Sequence, residues 1–572
     1  MPMRDGIRLR ADVYRPSAPG RYPTLLTRTP YSKDLDPRLH FNVLNPVSAA
    51  FAGYVVVIQD VRGRFESDGE FVIFEQEQTD GYDTVEWCAG QSWSNGRVGM
   101  YGLSYAGVTQ LQAAFAGPPS LRAIAPGLTD SNYYHGWTYE GGAFQLGFNL
   151  SWVVQLHAMD VGRLANAHQA VALAARLPDL LQVLPIGSIA EFSTIPSGRA
   201  YLEWLAHPTD DAFWQRLSLE SRYHAIGIPS LNISGWYDLF TRGGMRAFVG
   251  MRTHGATQQA RLRTRLVVGP WDHQAPLSAR IGDRQMSNRG QFFGHPVHVR
   301  WFDQWLKDID TGLQDDPPVQ VFVVGPDQWR TYPDWPPPET RFEPVFLHSG
   351  GHANGLGGDG ELVFVSPRSS SPPDQFIYDP LNPVPSRGGI WNIFDGLSGG
   401  AFDQRAIETR DDVLVYTSAP LTQPLEIVGP VTARVWAASD APDTDFTAKL
   451  VDVTPEGPAW NVCDGIIRAR YRTSFTEPAP IAPGEPLEYT IDMRATAYRF
   501  GAGHKLRLEI TSSNFPRFDR NPNTGTAVAG EQATRSARQS VHHDANFPSQ
   551  VILPVQPRPQ PPALRRLRAR LG

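Results

Sequence analysis

The sequence predicts a mixed α/β domain that carries a helical insertion and is followed by an all-β domain. Up to about residue 130, short apolar runs rich in β-formers alternate with helix-like stretches, which is typical of βαβ units. Helical spacing then dominates, and after about residue 317 short β-type runs recur between frequent Pro and Gly. A chain of 572 residues also exceeds the size at which a single core keeps growing, so several domains are expected.

The α/β pattern occurs twice along the chain, over residues 1–130 and 225–330. The predicted strands of these two parts are 22–27, 54–59, 98–102, 230–234 and 265–269. The segment FEQEQTDGYDTVEWCAGQ and the stretch 298–306 have helical spacing. We therefore expect both parts to build one core domain around a mostly parallel sheet.

The two parts of the core are separated by residues 131–224, in which Ala, Leu and Gln are frequent. The stretch VGRLANAHQAVALAARLPDLLQVL has apolar residues at helical spacing, so this insertion is predicted to form a helical cap. Later runs such as VQVFVVG, PVFLHSG, EIVGPVTARVWAA and HKLRLEITSS are short, regularly spaced and β-rich. They predict a β-sandwich or jelly roll, which we place at residues 331–572.

Composition excludes several classes of protein. The apolar fraction of 41% and the charged fraction of 19% are those of an ordinary globular chain. A net charge of −6 spread along the sequence favours neither nucleic acid nor a charged membrane as a partner, and the basic tail QPRPQPPALRRLRARLG is short. Neither a secretory signal nor an apolar run of about 18 residues is found, so we expect a cytoplasmic protein. Cys88 and Cys463 are expected to be reduced thiols.

The clearest chemical signal is RVGMYGLSYAGVTQLQAAFAG, where an apolar strand meets a turn containing Ser104 and then a helix-forming run. This order is that of the nucleophile elbow of α/β-hydrolases, in which small neighbours let strand and helix pack closely. Gly102, Ala106 and Gly107 satisfy that requirement. The literal pattern GxSxG occurs instead around Ser398, but no helix-forming run follows it, so Ser398 is predicted to be a loop serine.

Partners for Ser104 are expected at the ends of later strands, in the order acid and then histidine. The run PSLNISGWYD ends at Asp238, and RLVVGPWDH ends at Asp272 and His273. Asp272 is a rival for the acid, but its place beside His273 makes contact with the distal ring nitrogen difficult. The sequence therefore predicts a triad of Ser104, Asp238 and His273.

Several motifs occur in order along the whole chain: MRDGIRLRADVYRP, TRTPYSK, GYVVVIQDVRGRFESDGEF, GLSYAG, SGWYD, VVGPWDH, TDFTAKLVDV and SSNFPRFDRNPNTG. This set resembles the cocaine esterase-like branch of the family that includes Xaa-Pro dipeptidyl-peptidases and α-amino acid ester hydrolases. The family elbow is GxSYxG, which Gly107 matches. The resemblance implies an α/β-hydrolase domain with a helical cap and a C-terminal jelly roll, and the same triad.

An acyl-transfer reaction also needs hydrogen-bond donors for the developing oxyanion. The backbone N–H of Tyr105, the residue after the nucleophile, is one candidate. The resemblance implies that the hydroxyl of Tyr31, in the turn TPYSK, is the second. It also implies an aromatic acyl pocket, whose matching positions here are Trp137, Trp152 and Phe240.

These observations predict a serine hydrolase that cleaves carboxylic esters, with bulky or aromatic acyl groups, through an acyl-enzyme intermediate. Two alternatives stay open at this point: amide cleavage with the same triad, as in a dipeptidyl-peptidase or β-lactam acylase, and a binding protein that uses the jelly roll beside a degenerate hydrolase. The expected partner is a small-molecule ester or amide. No cofactor or metal is expected, and the chain is predicted to be a monomer or a homodimer.

Overall fold

A computed structural model describes residues 1–34, 43–159, 167–273, 280–292, 294–390 and 399–557. Ser398 and most of the basic tail lie outside these ranges. The first domain is built on a nine-stranded sheet. Its strands are β1 (Ala11–Tyr14), β2 (Tyr22–Thr29), β3 (Val55–Asp60), β4 (Ser94–Leu103), β5 (Leu121–Gly127), β8 (Leu231–Tyr237), β9 (Arg265–Asp272), β12 (Val319–Val323) and β13 (Gln328–Tyr332). Their order in the sheet is β1-β3-β2-β4-β5-β8-β9-β12-β13.

The seven inner strands of this sheet are parallel, and only β1 and β13 pair antiparallel to their neighbours. Strand β3 is buried along its whole length, as expected for a parallel strand that helices cover on both faces. The run VQVFVVG, which the sequence pattern grouped with the C-terminal strands although it lies within segment 225–330, forms β12 beside β9 in this first sheet. That grouping was wrong because an apolar run of this length does not specify which sheet it joins.

Helices cover both faces of the first sheet and form the insertion after β5. They are α1 (Pro46–Phe51), α2 (Glu77–Ala89), α3 (Tyr105–Ala116), α4 (Leu146–Met159), α5 (Ala167–Ala175), α6 (Leu177–Leu180), α7 (Pro196–Ala206), α8 (Ala212–Gln215), α9 (Thr241–His254), α10 (Gln258–Arg263) and α11 (Gly294–Leu306). Adjacent strand residues point to opposite faces. Leu26 accordingly packs with the core under α2 and α3, and its neighbour Leu25 packs with the core under α11.

Two hairpins accompany the first domain: β6 (Tyr139–Glu140) pairs with β7 (Ala143–Phe144), and β10 (Arg280–Ile281) pairs with β11 (Arg284–Gln285). The β6–β7 hairpin precedes helices α4 to α8, which form the predicted helical cap between β5 and β8. No helix within the described ranges has the length and apolar character needed to cross a membrane. Cys88 and Cys463 are both buried and free.

The second domain is β-rich, and its strands belong to one 11-stranded hydrogen-bonded set. They are β14 (Arg341–His348), β15 (Glu361–Val363), β16 (Asp374–Tyr378), β17 (Leu414–Ser418), β18 (Leu425–Ser439), β19 (Asp445–Val453), β20 (Ala459–Arg468), β21 (Leu487–Phe500), β22 (Lys505–Thr511), β23 (Ala537–His542) and β24 (Gln550–Val555). Alternating burial along β16 shows that one face packs inward and the other meets solvent. The predicted fold class, an α/β-hydrolase domain with a C-terminal β domain, is confirmed.

A pair of glutamates lies buried within the β-rich domain. Burial and the neighbouring Glu509 raise the pKa of the Glu408 carboxyl to about 8. Arg507 contacts Glu408 at 2.6 Å, and Lys449 contacts Glu509 at 3.0 Å. A protonated Glu408 can donate a hydrogen bond to Glu509, whereas an ionised Glu408 would repel it.

The glutamate pair predicts a loss of stability as the pH rises. The pKa of Glu408 is higher in the folded chain than its ordinary value of 4.5, so folded protein binds more protons and stability falls between pH 4.5 and about 8. The amide of Glu408→Gln donates without a titratable proton. We expect the free energy of unfolding of the variant, relative to wild type, to rise by about 4 kcal/mol from pH 5 to pH 9, since each pKa unit corresponds to about 1.4 kcal/mol.

Chemical denaturation at pH 5, 7 and 9 measures this difference. Glu485→Gln, at an exposed position, is the control and should track the wild type at every pH. If the unfolding free energies of Glu408→Gln and wild type instead change in parallel with pH, Glu408 is ionised over the whole range from pH 5 to pH 9.

Candidate active site

Ser104 stands in a sharp turn between the end of β4 and the start of α3. Its backbone φ is 60° and ψ is −126°, a left-handed conformation that few non-glycine residues adopt. Close packing around the turn requires small neighbours: a Cβ at Gly102 would lie 2.6 Å from the Cβ of Ala106, and a Cβ at Gly107 would lie 2.6 Å from Thr129. The segment therefore has the geometry of a nucleophile elbow although it lacks the literal GxSxG pattern.

The three residues predicted as a triad are brought together by the ends of three parallel strands. His273 Nε2 lies 3.0 Å from Ser104 Oγ, and His273 Nδ1 lies 2.6 Å from Asp238 Oδ2. Asp238 is fully buried, while the His273 side chain is 15% exposed and so stays accessible from the site. In such a chain the imidazole can take the serine proton while the carboxylate stabilises the resulting cation.

The turn after β8 fixes the carboxylate of Asp238. Asp238 Oδ1 accepts a hydrogen bond of 2.8 Å from the backbone N–H of Phe240, which leaves Oδ2 to the histidine. The rival acid Asp272 is the last residue of β9 and directly precedes His273. Because His273 Nδ1 pairs with Asp238, the geometry favours Asp238 as the acid of the triad, as the sequence predicted.

Tyr31 lies in the turn after β2, on the side of the site that faces Ser104. Its backbone N–H donates to Thr29 Oγ1 at 3.1 Å, and the preceding carbonyl of Pro30 accepts a 2.9 Å hydrogen bond from Arg64 Nε. The indole N–H of Trp152 donates to the Tyr31 hydroxyl at 3.1 Å. Burial raises the pKa of Tyr31, and hydrogen bonds with Ser104 and Trp152 counteract part of that rise.

Tyr105 is the first residue of α3, where backbone N–H groups have no acceptor within the helix. The Tyr105 side chain is held by two hydrogen bonds: its hydroxyl donates to Glu77 Oε1 at 3.1 Å and accepts from the Phe74 N–H at 2.9 Å. Glu77 in turn contacts Arg28 at 2.6 Å. This buried anchor holds the backbone of Tyr105 in position beside Ser104.

The three residues predicted to form an acyl pocket also lie together. The rings of Trp137 and Phe240 stack at 4.2 Å, and those of Trp137 and Trp152 are 5.3 Å apart. Phe240 meets the His273 ring edge-on at 5.2 Å. An aromatic wall therefore adjoins the histidine on the side of the cap.

Two further members of this aromatic wall were not identified from the sequence. Phe74 contacts the Trp137 ring at 5.2 Å, and Phe148 stacks on Trp152 at 5.7 Å. Phe148 lies four residues before Trp152 on α4, so helical spacing from a candidate pocket residue is a signal that could have found it. Phe74 follows no motif and has no comparable signal.

The C-terminal domain reaches the turn that carries Asp238. Arg494 on β21 donates to Glu140 at 3.0 Å and to the backbone carbonyl of Leu239 at 3.3 Å. Burial alone would raise the pKa of Glu140, but Arg494, Arg517 and Arg242 outweigh it and lower that pKa to about 2. A buried ionised cluster thus links the two domains next to the acid.

Comparisons with known proteins agree with this architecture. The family model "X-Pro dipeptidyl-peptidase (S15 family)" matches residues 5–275, and "X-Pro dipeptidyl-peptidase C-terminal non-catalytic domain" matches residues 311–552. The cocaine esterase of Rhodococcus sp. (strain MB1 Bresler) is 40% identical over 571 residues, which cover 97% of each chain.

Solved structures give the same result. An aminopeptidase from a marine sediment Thaumarchaeota archaeon matches with a TM-score of 0.83 at 26% identity, over 97% of this chain and 95% of that one. An α-amino acid ester hydrolase matches with a TM-score of 0.81, at the same identity and coverage.

The fold and the Ser-His-Asp geometry define the class of protein as a serine hydrolase with an α/β-hydrolase core. Within that class, the chain belongs to the X-Pro dipeptidyl-peptidase (S15) family and is similar over nearly its whole length to a cocaine esterase. The predicted family and the predicted class of enzyme are confirmed.

The buried cluster predicts that Glu140→Gln weakens the association of the two domains. The substitution leaves the guanidinium group of Arg494 without its counter-charge, whereas Arg517 and Arg242 keep Asp464 and Asp492 as partners. Removing one partner of such a buried group costs about 3–5 kcal/mol. Urea denaturation at pH 7 measures the change, and the exposed Glu339→Gln is the control. If Glu140→Gln lowers the free energy of unfolding by less than about 1 kcal/mol, the buried cluster does not stabilise the association of the two domains.

Proposed function

We propose that this protein hydrolyses carboxylic esters through an acyl-enzyme intermediate on Ser104. The observation that carries the proposal is the continuous hydrogen-bond chain from Ser104 Oγ through the His273 ring to Asp238. As Oγ attacks the ester carbonyl, His273 Nε2 takes the serine proton, and Asp238 stabilises the imidazolium. The negative charge that forms on the carbonyl oxygen faces the Tyr31 hydroxyl and the Tyr105 N–H.

The second half of the reaction returns the enzyme to its starting state. Collapse of the tetrahedral intermediate breaks the bond to the leaving oxygen, which receives the proton from His273 and departs as an alcohol. A water molecule then attacks the acyl group, again giving a proton to His273. The carboxylic acid leaves, and the proton returns to Ser104 Oγ.

The aromatic wall supports bulky or flat aromatic acyl groups as substrates. Trp137, Trp152 and Phe240 are buried beside His273, so an acyl group bound to Ser104 would extend along apolar ring surfaces. The similarity to a relative named cocaine esterase favours ester over amide substrates. Amide cleavage with the same triad, by a dipeptidyl-peptidase or a β-lactam acylase, is the second candidate. The description of the family model favours the release of Xaa-Pro dipeptides from a peptide.

We also propose that the protein is cytoplasmic and that it is a monomer or a homodimer. Its domains are proposed to be an α/β core formed by residues 1–130 and 225–330, a helical cap at 131–224, and a β domain at 331–572. The small and dispersed charge supports a function without nucleic acid or membrane partners.

Ser104→Ala should abolish turnover of p-nitrophenyl acetate and butyrate, because no other group in the site replaces the attacking oxygen. Loss of a triad member lowers kcat by about 10⁴ to 10⁶. Ser398→Ala, at the only literal GxSxG serine identified above, is the control and should keep wild-type kcat. Equal rates for Ser104→Ala and wild type would refute the mechanism.

Tyr31→Phe should lower kcat by about 10² or more with little change in KM, since the hydroxyl contributes only when negative charge develops. Tyr14→Phe, on the edge strand β1 of the same sheet, is the control. An unchanged kcat in Tyr31→Phe would remove Tyr31 from the oxyanion site, whereas a rise in KM alone would assign it to substrate binding.

A further inference from the structure

Trp152 differs from the other members of the aromatic wall because its polar atom is engaged. Its indole Nε1 donates to Tyr31 Oη at 3.1 Å, across 121 residues of sequence. Trp137, by contrast, is fully buried, and within the described part of the chain its indole nitrogen meets no hydrogen-bond acceptor. Two neighbouring tryptophans of the aromatic wall therefore differ in whether their indole N–H is engaged.

The indole hydrogen bond restricts the direction of the Tyr31 proton. An indole N–H can only donate, and a phenol oxygen accepts at its lone pairs while donating one proton. Because Trp152 occupies an acceptor position of Oη, the Tyr31 proton must point to another partner. Ser104, which lowers the pKa of Tyr31, is close to the same hydroxyl, so an ester carbonyl attacked by Ser104 would lie near Oη.

Trp152 is itself held rigidly. It is 2% exposed and lies on α4, where two nearly parallel rings pack against it, Phe148 at 5.7 Å and Trp204 at 6.0 Å. Rotation of the indole would require both neighbours to move. The N–H is therefore preorganised, and preorganised donors need no reorientation when charge develops in the transition state.

We propose that Trp152 is a positioning residue for the oxyanion site: its indole N–H holds Tyr31 Oη so that the phenol proton faces the carbonyl oxygen of a substrate on Ser104. The inference rests on the proposed function. It gives the helical cap a part in the chemical step in addition to the lining of an acyl pocket.

The two roles of Trp152 have different kinetic signatures. A residue that only lines the pocket affects large acyl groups and leaves acetate almost unchanged. A residue that orients Tyr31 affects every ester equally, because each one develops the same oxyanion. Its effect must also depend on Tyr31, so the two substitutions should not be additive.

The test measures kcat and kcat/KM of Trp152→Phe for the p-nitrophenyl esters of acetate, butyrate and benzoate, which share one leaving group. We expect kcat/KM for acetate to fall about 5- to 10-fold, as for the loss of one hydrogen bond, and kcat/KM for butyrate and benzoate to fall by at least that factor, because their acyl groups also lose contact with the indole. In a Tyr31→Phe background, Trp152→Phe should have no further effect on acetate. Trp137→Phe is the matched control and should change values in proportion to acyl size.

Replacement of Trp152 by 3-benzothienylalanine keeps the ring shape and removes only the N–H, which covers the case in which Trp152→Phe does not fold. A loss confined to benzoate, or an equal loss with and without the Tyr31 hydroxyl, would overturn the positioning role. Absence of turnover above Ser104→Ala in the wild type would instead refute the proposed function, so the two failures are distinguishable.

Discussion

The site depends on the left-handed turn that holds Ser104 between a buried strand and a buried helix. At φ 60° a side chain is strained, and the turn persists only because closely packed neighbours over-determine it. Gly102 and Gly107 make that packing possible, since a Cβ at either would overlap existing side-chain atoms. The turn places Ser104 Oγ 3.0 Å from the His273 ring, which follows the end of β9.

The parallel sheet then supplies the partners of Ser104. In a parallel sheet the carboxyl ends of all strands lie at one edge, so the turns after β2, β8 and β9 meet above β4. Tyr31, Asp238 and His273 occupy those three turns. Side chains from outside the sheet reach two of them: Trp152 of the cap contacts Tyr31, and Arg494 of the β-rich domain contacts the turn of Asp238. The added parts of the chain thus support atoms at the site as well as enclosing it.

Much of this arrangement was predictable from the sequence because its signals are local. An apolar strand followed by a turn residue is visible at Ser104, Asp238 and His273, and the parallel sheet places such ends together. The contacts between domains are different in kind. Arg494 and Glu140 are 354 residues apart, and nothing in their spacing marks them as a pair. Similarly, the aromatic character of Trp152 indicates a pocket, but only its placement on α4 reveals where the indole N–H points.

The central claim is that Ser104 Oγ becomes acylated. The direct test is to mix the enzyme with p-nitrophenyl benzoate, quench in acid during turnover, and locate the added benzoyl group by peptide mass spectrometry. The account predicts one benzoyl group on the peptide that contains Ser104, and none in a Ser104→Ala control. Turnover accompanied by acylation at another residue, or by no acylated peptide in any quench time, would contradict it.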